Sequence, residues 1–174
     1  EPNYDLIERI ATECFMPLCY GGGVKTLDQA RRIVKAGVEK IALNSAAIDN
    51  HTLVNQLSAE LGSSSVVAAI DVKRNWMGKE RVYHPGQRKT TNIDPVIHAQ
   101  AMAKAGAGEI FLNDVDNDGK GNGYNCDLIK KISEAVQIPV VACGGAAQLE
   151  HMKDAVNSGA SAVAAGSMFV FYGP

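Results

Sequence analysis

Residues 21–48, GGGVKTLDQARRIVKAGVEKIALNSAAI, align without a gap with residues 143–170, CGGAAQLEHMKDAVNSGASAVAAGSMFV. Seven of the 28 aligned positions are identical, in the first copy Gly22, Gly23, Leu27, Val34, Gly37, Ala42 and Ser45. Each copy reads as a glycine-rich turn, an amphipathic helix, a glycine, an apolar strand and a small polar residue. The constant offset of 122 residues is too long for a solenoid unit, so the repeat indicates a duplicated half-domain.

The glycine-rich turn of each copy lies between a strand and a helix. Such a turn leaves backbone N–H groups free near the positive end of a helix dipole, which suits an anion such as phosphate. Two copies therefore predict two phosphate sites. The alternative is that the glycines serve only tight turns, and the matched positions in the two copies favour anion binding over it.

The composition is that of an ordinary globular domain. The 174 residues are 46% hydrophobic and 21% charged with a net charge of −2, which gives no basic field for nucleic acid. The apolar stretches are too short or too interrupted to span a bilayer, so no membrane role is expected. The cysteines match no zinc motif and no disulfide framework. We predict buried free thiols in a reducing cytoplasm for Cys14, Cys19, Cys126 and Cys143.

Apolar runs alternate with helical periodicity from end to end, which predicts parallel β/α units in one domain, residues 1–174. Predicted strands cover residues 16–20, 40–44, 65–73, 109–113, 139–143 and 162–166. Predicted helices cover residues 4–14, 27–36, 52–61, 95–105, 127–135 and 149–158, with a hairpin through Gly78. Polar and small residues gather where the strands end, as in a TIM barrel, whereas a doubly wound sheet concentrates its site at one switch point.

The chain is short for a complete barrel of this kind. Such a barrel has roughly 250 residues and eight strands, whereas this chain has 174 residues and six predicted strands. We therefore predict an incomplete (β/α)8 barrel that lacks the first two strands and is truncated or partly unobserved at both ends.

Two segments place carboxylates at strand ends. Asp71 ends the apolar run SVVAAI, where it can exchange protons with a substrate; the alternative is an ion pair with Lys73 or Arg74. Residues 113–119, NDVDNDG, resemble the start of an EF-hand loop, but Asn125 stands at the twelfth position, where that loop needs glutamate. We therefore expect no metal.

Two charges open predicted strands, Lys40 and Glu109, each four residues before an asparagine. Side chains at i and i+4 on a strand share a face, so both should point into the barrel floor. Because a lone buried charge is costly, we predict that the two approach each other. The alternative is surface charges at strand starts.

Other polar and aromatic residues receive structural interpretations. Trp76 and Tyr83 are expected to pack a hairpin over the mouth rather than to stack on a base. The histidines show no metal-ligand spacing, and catalysis is assigned to none of His51, His84, His98 and His151.

Four motifs make the pattern specific, PLCYGGGVKTLDQARRIVKAGVEKIALNSAA, VVAAIDVKR, GAGEIFLNDVDNDGKGNGYN and PVVACGGAAQLEHM. Together they closely resemble the cyclase (synthase) subunit of imidazole glycerol phosphate synthase, the HisF-type barrel family. That family closes an imidazole ring in histidine biosynthesis, with ammonia from a class I glutaminase subunit (HisH-type) in a heterodimer. The resemblance implies a lyase that needs no cofactor and no metal. Its substrate carries a phosphate at each end, in agreement with the repeat.

The resemblance also implies roles for particular residues. Asp71 would be one of two acid/base aspartates, the other lying on the first strand. One phosphate would be held by Gly23, Asn44 and Ser45. The other would be held by Gly144, Gly145, Gly166 and Ser167, with Asp118 and Gly119 as substrate contacts. Lys40 and Glu109 would belong to a salt-bridge ring that admits ammonia, and Glu39 would contact the glutaminase.

Two alternatives stay open. Asp114 stands where the family usually has serine, which adds a negative charge near the mouth. Three segments, LNDVDNDG, ACGGA and GSMFVFYGP, are somewhat more similar to a paralogue group in surface-glycan synthesis, which uses ammonia to amidinate a nucleotide-linked amino sugar. The second alternative is a non-catalytic, phosphate-binding partial barrel.

Overall fold

The computed structural model describes residues 2–171. Six parallel strands form one curled sheet in chain order, extended by an antiparallel hairpin on its third strand. The parallel strands are β1 (Cys19–Gly21), β2 (Lys40–Leu43), β3 (Val66–Arg74), β6 (Glu109–Asp114), β7 (Val140–Cys143) and β8 (Ala162–Val163), and the hairpin adds β4 (Glu80–His84) and β5 (Lys89–Thr90).

Helices connect the successive parallel strands, and one further helix lies at each end of the described chain. They are α1 (Tyr4–Glu13), α2 (Leu27–Lys35), α3 (Ser45–Asp49), α4 (His51–Leu61), α5 (Pro95–Ala105), α6 (Cys126–Ala135), α7 (Leu149–Asn157) and α8 (Ser167–Val170). Local sequence sets their ends: Thr26 and Gln29 form a reciprocal capping box at the start of α2. Asp94 caps α5, Pro95 opens it and Gly106 follows its end in the left-handed conformation.

Strand alternation separates a helix-covered face from an open inner face. The covered face carries the core residues Ile41, Leu43, Val66, Ala68, Ile70, Ile110, Leu112, Val140 and Ala142. The inner face carries Lys40, Ala42, Val67, Ala69, Asp71, Glu109, Phe111, Asn113, Val141 and Cys143. The architecture is that of a partial (β/α)8 barrel, which confirms the predicted fold class.

Two packing expectations are wrong. Trp76 is 93% exposed, because the turn between β3 and β4 projects beyond the end of the sheet. The cysteines are free, as predicted, but none of the four is buried, and Cys19 is exposed on the open inner face. Within residues 2–171, no helix has the length and apolar character needed to cross a membrane.

Candidate active site

Asp71 lies on the inner face near the carboxyl end of β3. Its Oδ1 accepts a hydrogen bond of 3.0 Å from Nδ2 of Asn113, its register neighbour on β6. The alternative ion pair is not found, because Nζ of Lys73 approaches Asp116 instead, at 4.0 Å. A neutral amide therefore orients the Asp71 carboxylate.

A cavity of about 1150 Å³ runs along the inner face from the strand ends to the floor. It joins Asp71 to three residues expected to hold a phosphate, Gly23, Asn44 and Ser45, and it reaches Glu109 at its other end. Between these ends the lining is mostly apolar, with Cys19, Ala42, Val67, Ala69, Phe111 and Val141. The structure thus brings one predicted phosphate set and the predicted acid/base group into one cavity.

The first glycine turn leaves open space in front of its backbone. Gly22 and Gly23 have φ values of 134° and 70°, which L side chains rarely adopt. A Cβ on Gly22 would meet only the Tyr20 hydroxyl, at 3.9 Å. Nearby, the buried Oδ1 of Asn44 has no hydrogen-bond partner within residues 2–171. The turn therefore has room for a ligand and an unsatisfied polar atom beside it.

The second glycine turn is packed against protein. A Cβ on Gly144 would lie 2.6 Å from the carbonyl oxygen of Asp114, and one on Gly145 would lie 2.7 Å from Nδ2 of Asn117. The N–H of Gly123 donates to the carbonyl oxygen of Gly145 at 2.8 Å. Close backbone approach alone therefore demands glycine here, whether or not an anion binds.

The remaining residues of the second predicted phosphate set lie at the carboxyl end of β8. Gly166 has open space around it, and Ser167 begins the short helix α8. Because β7 and β8 are parallel, this set and the second glycine turn lie at the same edge of the sheet as the first turn. None of the four residues lines the large cavity.

Negatively charged side chains near the carboxyl end of β7 act on the thiol of Cys143. The half-buried position of Cys143 partly desolvates its thiol and raises its pKa, and the negative charges of Asp118 and Asp71 raise it further, against a lowering hydrogen bond from the Gly144 backbone. Asp118 and Gly119 are exposed in the loop after β6. The carboxylates of Asp71 and of Asp118, a predicted substrate contact, therefore both lie close enough to act on the Cys143 thiol.

Asp114 faces away from this mouth. Strand alternation puts it opposite to the inward-facing Asn113, and its two carboxylate oxygens accept from the backbone N–H of Asp116 and from Nδ2 of Asn125, each at 3.1 Å. The extra negative charge thus stabilises the loop on the covered side of the sheet. In residues 2–171, no group of three or more His, Cys, Asp or Glu side chains is placed to hold a metal.

Lys40 and Glu109 form the predicted pair at the floor. Nζ of Lys40 donates to Oε2 of Glu109 at 2.6 Å. Although Cys19 is exposed, partial desolvation of its thiol by the surrounding protein and the charge of Glu109 raise its pKa, while Lys40 lowers it. Glu39 is exposed directly beside this pair.

Sequence reasoning missed a group of residues on the hairpin. His84 is 4% exposed, and its ring joins β4 to the end of α3, where Nε2 lies 3.1 Å from Oδ1 of Asp49. The adjoining turn also reaches the first phosphate set, since the N–H of Gly86 donates to Oγ of Ser45 at 3.1 Å. One sequence signal was present: His84 falls two residues after Val82, on the buried face of the predicted hairpin.

The fold and its polar strand ends define a parallel β/α barrel protein, and comparison with known proteins agrees with this fold. The sequence model of the family described as "Histidine biosynthesis protein" matches residues 1–173. The chain belongs to this family.

Curated relatives carry related names. A Pseudomonas aeruginosa protein, "Putative imidazole glycerol phosphate synthase subunit hisF2", is 44% identical over 174 residues, which cover 99% of this chain and 69% of that protein. A Leptospira borgpetersenii protein, "Putative imidazole glycerol phosphate synthase subunit HisF", is 47% identical over 177 residues, with the same coverages of 99% and 69%. A Vibrio vulnificus protein, "Putative imidazole glycerol phosphate synthase subunit hisF3", is 43% identical over 175 residues, with coverages of 99% and 67%.

Proposed function

We propose that this chain is the cyclase subunit of an imidazole glycerol phosphate synthase. It uses ammonia from a glutaminase partner to close the imidazole ring on a bis-phosphorylated ribonucleotide. The observation that carries the proposal is the single cavity with Asp71 and the open glycine turn at one end and Glu109, which is paired with Lys40, at the other. In this proposal residues 1–174 belong to one barrel domain.

Asp71 supplies the proton transfer of ring closure. A general base acts when it lies within hydrogen-bond reach of the reacting proton and has a fixed orientation. The amide of Asn113 provides that orientation, and the position of Asp71 on the cavity wall makes the carboxylate accessible to a bound substrate.

The two phosphates of the substrate occupy the two copies of the repeat. At the first copy, Ser45 Oγ accepts from Gly86, so its own O–H is free to donate to a phosphate oxygen, next to Gly23 and Asn44. At the second copy, the ligands are the residues implied by the family resemblance, Gly144, Gly145, Gly166 and Ser167, with Asp118 and Gly119 beside them. The parallel sheet places both sets at one edge, which suits a molecule with a phosphate at each end.

Ammonia reaches Asp71 through the interior of the barrel. The inner wall between the floor and Asp71 is largely apolar, so a small neutral molecule meets few groups that would bind or protonate it. The Lys40–Glu109 pair stands at the entrance and acts as the gate. Glu39, exposed beside Lys40, contacts the class I glutaminase, which docks on the floor.

The test is a direct assay of the purified protein with an ammonium salt and the bis-phosphorylated ribonucleotide. Formation of the imidazole product, detected by mass spectrometry, is the expected result, and the glutaminase with glutamine should replace the ammonium salt. Binding of the ribonucleotide without any product would instead favour the non-catalytic partial barrel.

A second candidate keeps the barrel and changes the substrate to a nucleotide-linked amino sugar in surface-glycan synthesis. The observation that favours it is Trp76, whose free ring beyond the mouth is available to stack on a nucleobase, with Arg74 exposed nearby. Trp76→Ala should then raise KM for the nucleotide-linked sugar. If the protein amidinates no such sugar and Trp76→Ala leaves its kinetics unchanged, this candidate falls.

A further inference from the structure

The hairpin holds both ends of the short helix α3. At its first residue, Ser45 Oγ accepts from the N–H of Gly86, and at its last residue, Asp49 contacts His84 Nε2, each across 3.1 Å. A helix of five residues has little stability of its own, so its geometry depends on such tertiary contacts. The position of Ser45 is therefore set by the hairpin as much as by the sheet.

The hydrogen bonds of His84 fix its tautomer. Its Nδ1 accepts from the backbone N–H of Gln87 at 3.1 Å, so Nδ1 carries no proton. Nε2 then carries the ring proton and donates it to the Asp49 carboxylate. Both ring nitrogens are thus satisfied in a side chain that is only 5% exposed, and one end of the contact is an anion.

The same hairpin turn lines the cavity. Asp49, His84, Pro85, Gly86 and Gln87 share its wall with Ser45. Gly86 lies between the two contacts with no space to spare: a Cβ there would be 3.1 Å from Ser45 Oγ and 3.2 Å from His84 Cε1. Gly86 therefore lies close to both the His84 ring and the serine hydroxyl, and a side chain at this position would displace one of them.

We infer that His84, held by Asp49, is a positioning residue for the first phosphate of the substrate. It clamps the turn at residues 85–87 over α3. The backbone N–H of Gly86 then donates to Oγ of Ser45, which directs the serine O–H toward the cavity. The inference rests on the proposed function only in taking the ligand at Ser45 to be a phosphate; the clamp itself is made of observed contacts.

The experiment measures inorganic phosphate binding in the full chain, by NMR titration of the backbone amides of Ser45 and Gly86. His84→Ala and Asp49→Ala should each weaken phosphate binding at these amides by about 10- to 100-fold, a range typical of lost supporting contacts. The double variant should lose no more than the worse single variant, because both changes break one chain of contacts. His84→Gln, which keeps a donor and an acceptor, should recover part of the affinity.

His98→Ala is the matched control. His98 is buried to 2% exposure, like His84, but it lies on α5 and does not line the cavity. It should lower stability and leave phosphate binding unchanged. In ammonium-dependent turnover, His84→Ala should raise KM with little change in kcat. Long-range 1H–15N spectra should show the Nε2–H tautomer of His84.

The outcomes separate this inference from the proposed function. If Ser45→Ala abolishes the phosphate response but His84→Ala and Asp49→Ala behave like His98→Ala, the clamp has no positioning role and the inference is overturned. If the unaltered protein shows no response to phosphate at Ser45, the phosphate assignment fails together with the inference. Because Asp49 is 58% exposed, its variant is expected to fold even if His84→Ala does not.

Discussion

The two copies of the repeat use the same glycine pair in different surroundings. In the first copy, the space in front of Gly22 is open and faces the large cavity. In the second, Gly144 lies against the backbone of Asp114 at the end of β6, and Gly145 lies against Gly123 in the loop that follows. A glycine pair shared by both copies therefore has two physical causes, ligand access in one and close backbone packing in the other, and sequence identity alone does not separate them.

The covers over the two turns differ as well. A hairpin closes over the first copy and is attached through side chains, His84 to Asp49 and Gly86 to Ser45. The loop after β6 closes over the second copy and is attached through the backbone N–H of Gly123, which donates to Gly145, and through the hydroxyl of Tyr124, which donates to the carbonyl oxygen of Ala164 at 3.0 Å. The contacts of the first cover thus centre on His84 and Ser45, while the second combines one backbone contact with one side-chain contact.

The largest expected effect distinguishes the proton transfer at Asp71 from phosphate binding at the two glycine turns. Asp71→Asn keeps the shape of the side chain and removes the proton acceptor, so ammonium-dependent turnover should fall by about 10²–10⁴-fold. Phosphate affinity at both turns should stay nearly constant. Asp28→Asn, on the exposed surface of α2, is the control. Unchanged turnover in Asp71→Asn would remove the catalytic role of Asp71.

The next prediction tests the comparison itself with a matched pair of variants. Gly145→Ala combines a φ of 101° with overlap against the loop, and should cost at least about 3 kcal/mol of unfolding free energy. Gly22→Ala has a φ of 134° but open space, and should cost about 1–2 kcal/mol. Urea denaturation measures both. Equal losses would show that the two turns are not packed differently.

Helix ends and strand faces could be predicted from the sequence because their causes are local. The helix predicted at residues 95–105 coincides with Pro95–Ala105, since Asp94, Pro95 and Gly106 mark both ends. The Lys40–Glu109 contact followed from strand alternation across a parallel sheet. The helix ends required only residues a few positions apart, and the contact between Lys40 and Glu109, which are 69 residues apart, required only regular sheet geometry in addition.

The rest depended on contacts that no short pattern encodes. Helices α3 and α8 have five and four residues, too few for a helical period to repeat, so the sequence pattern did not predict them. The strand predicted at residues 162–166 spans only Ala162–Val163, because β8 pairs with β7 alone within the described sheet. The clamp joins His84 to Asp49 across 35 residues, and only the path of the hairpin brings them together.

Helices α4 and α5 should respond to acid differently from helices α6 and α7. Burial, helped by the charge of His51, lowers the pKa of His98 to about 4 from its ordinary 6.5. The unfolded chain therefore binds a proton below about pH 6.5 while the folded chain resists it until about pH 4. The free energy of unfolding should consequently fall by roughly 3 kcal/mol as pH drops through this window, and the loss is absent above it.

Hydrogen exchange at pH 5 and pH 7 measures this difference. Helices α4 and α5, which surround His98, should lose protection at pH 5 before α6 and α7, where the described residues include no buried titratable side chain. In His98→Leu the pH dependence should largely disappear. If α6 and α7 opened first, the acid-sensitive position would lie elsewhere.

The smallest expected effect concerns the floor, where Lys40 of the first copy contacts Glu109, which lies outside both copies. Lys40→Ala removes one side of a pair whose lysine is 38% exposed, so the fold should lose little stability. The pair lies at the opposite end of the cavity from Asp71, so its loss should disturb the delivery of ammonia rather than ring closure. Glutamine-dependent synthesis with the glutaminase should fall several-fold, while synthesis from free ammonium stays largely intact. An equal fall in both activities would contradict the gate and leave Lys40 as a structural contributor to the site.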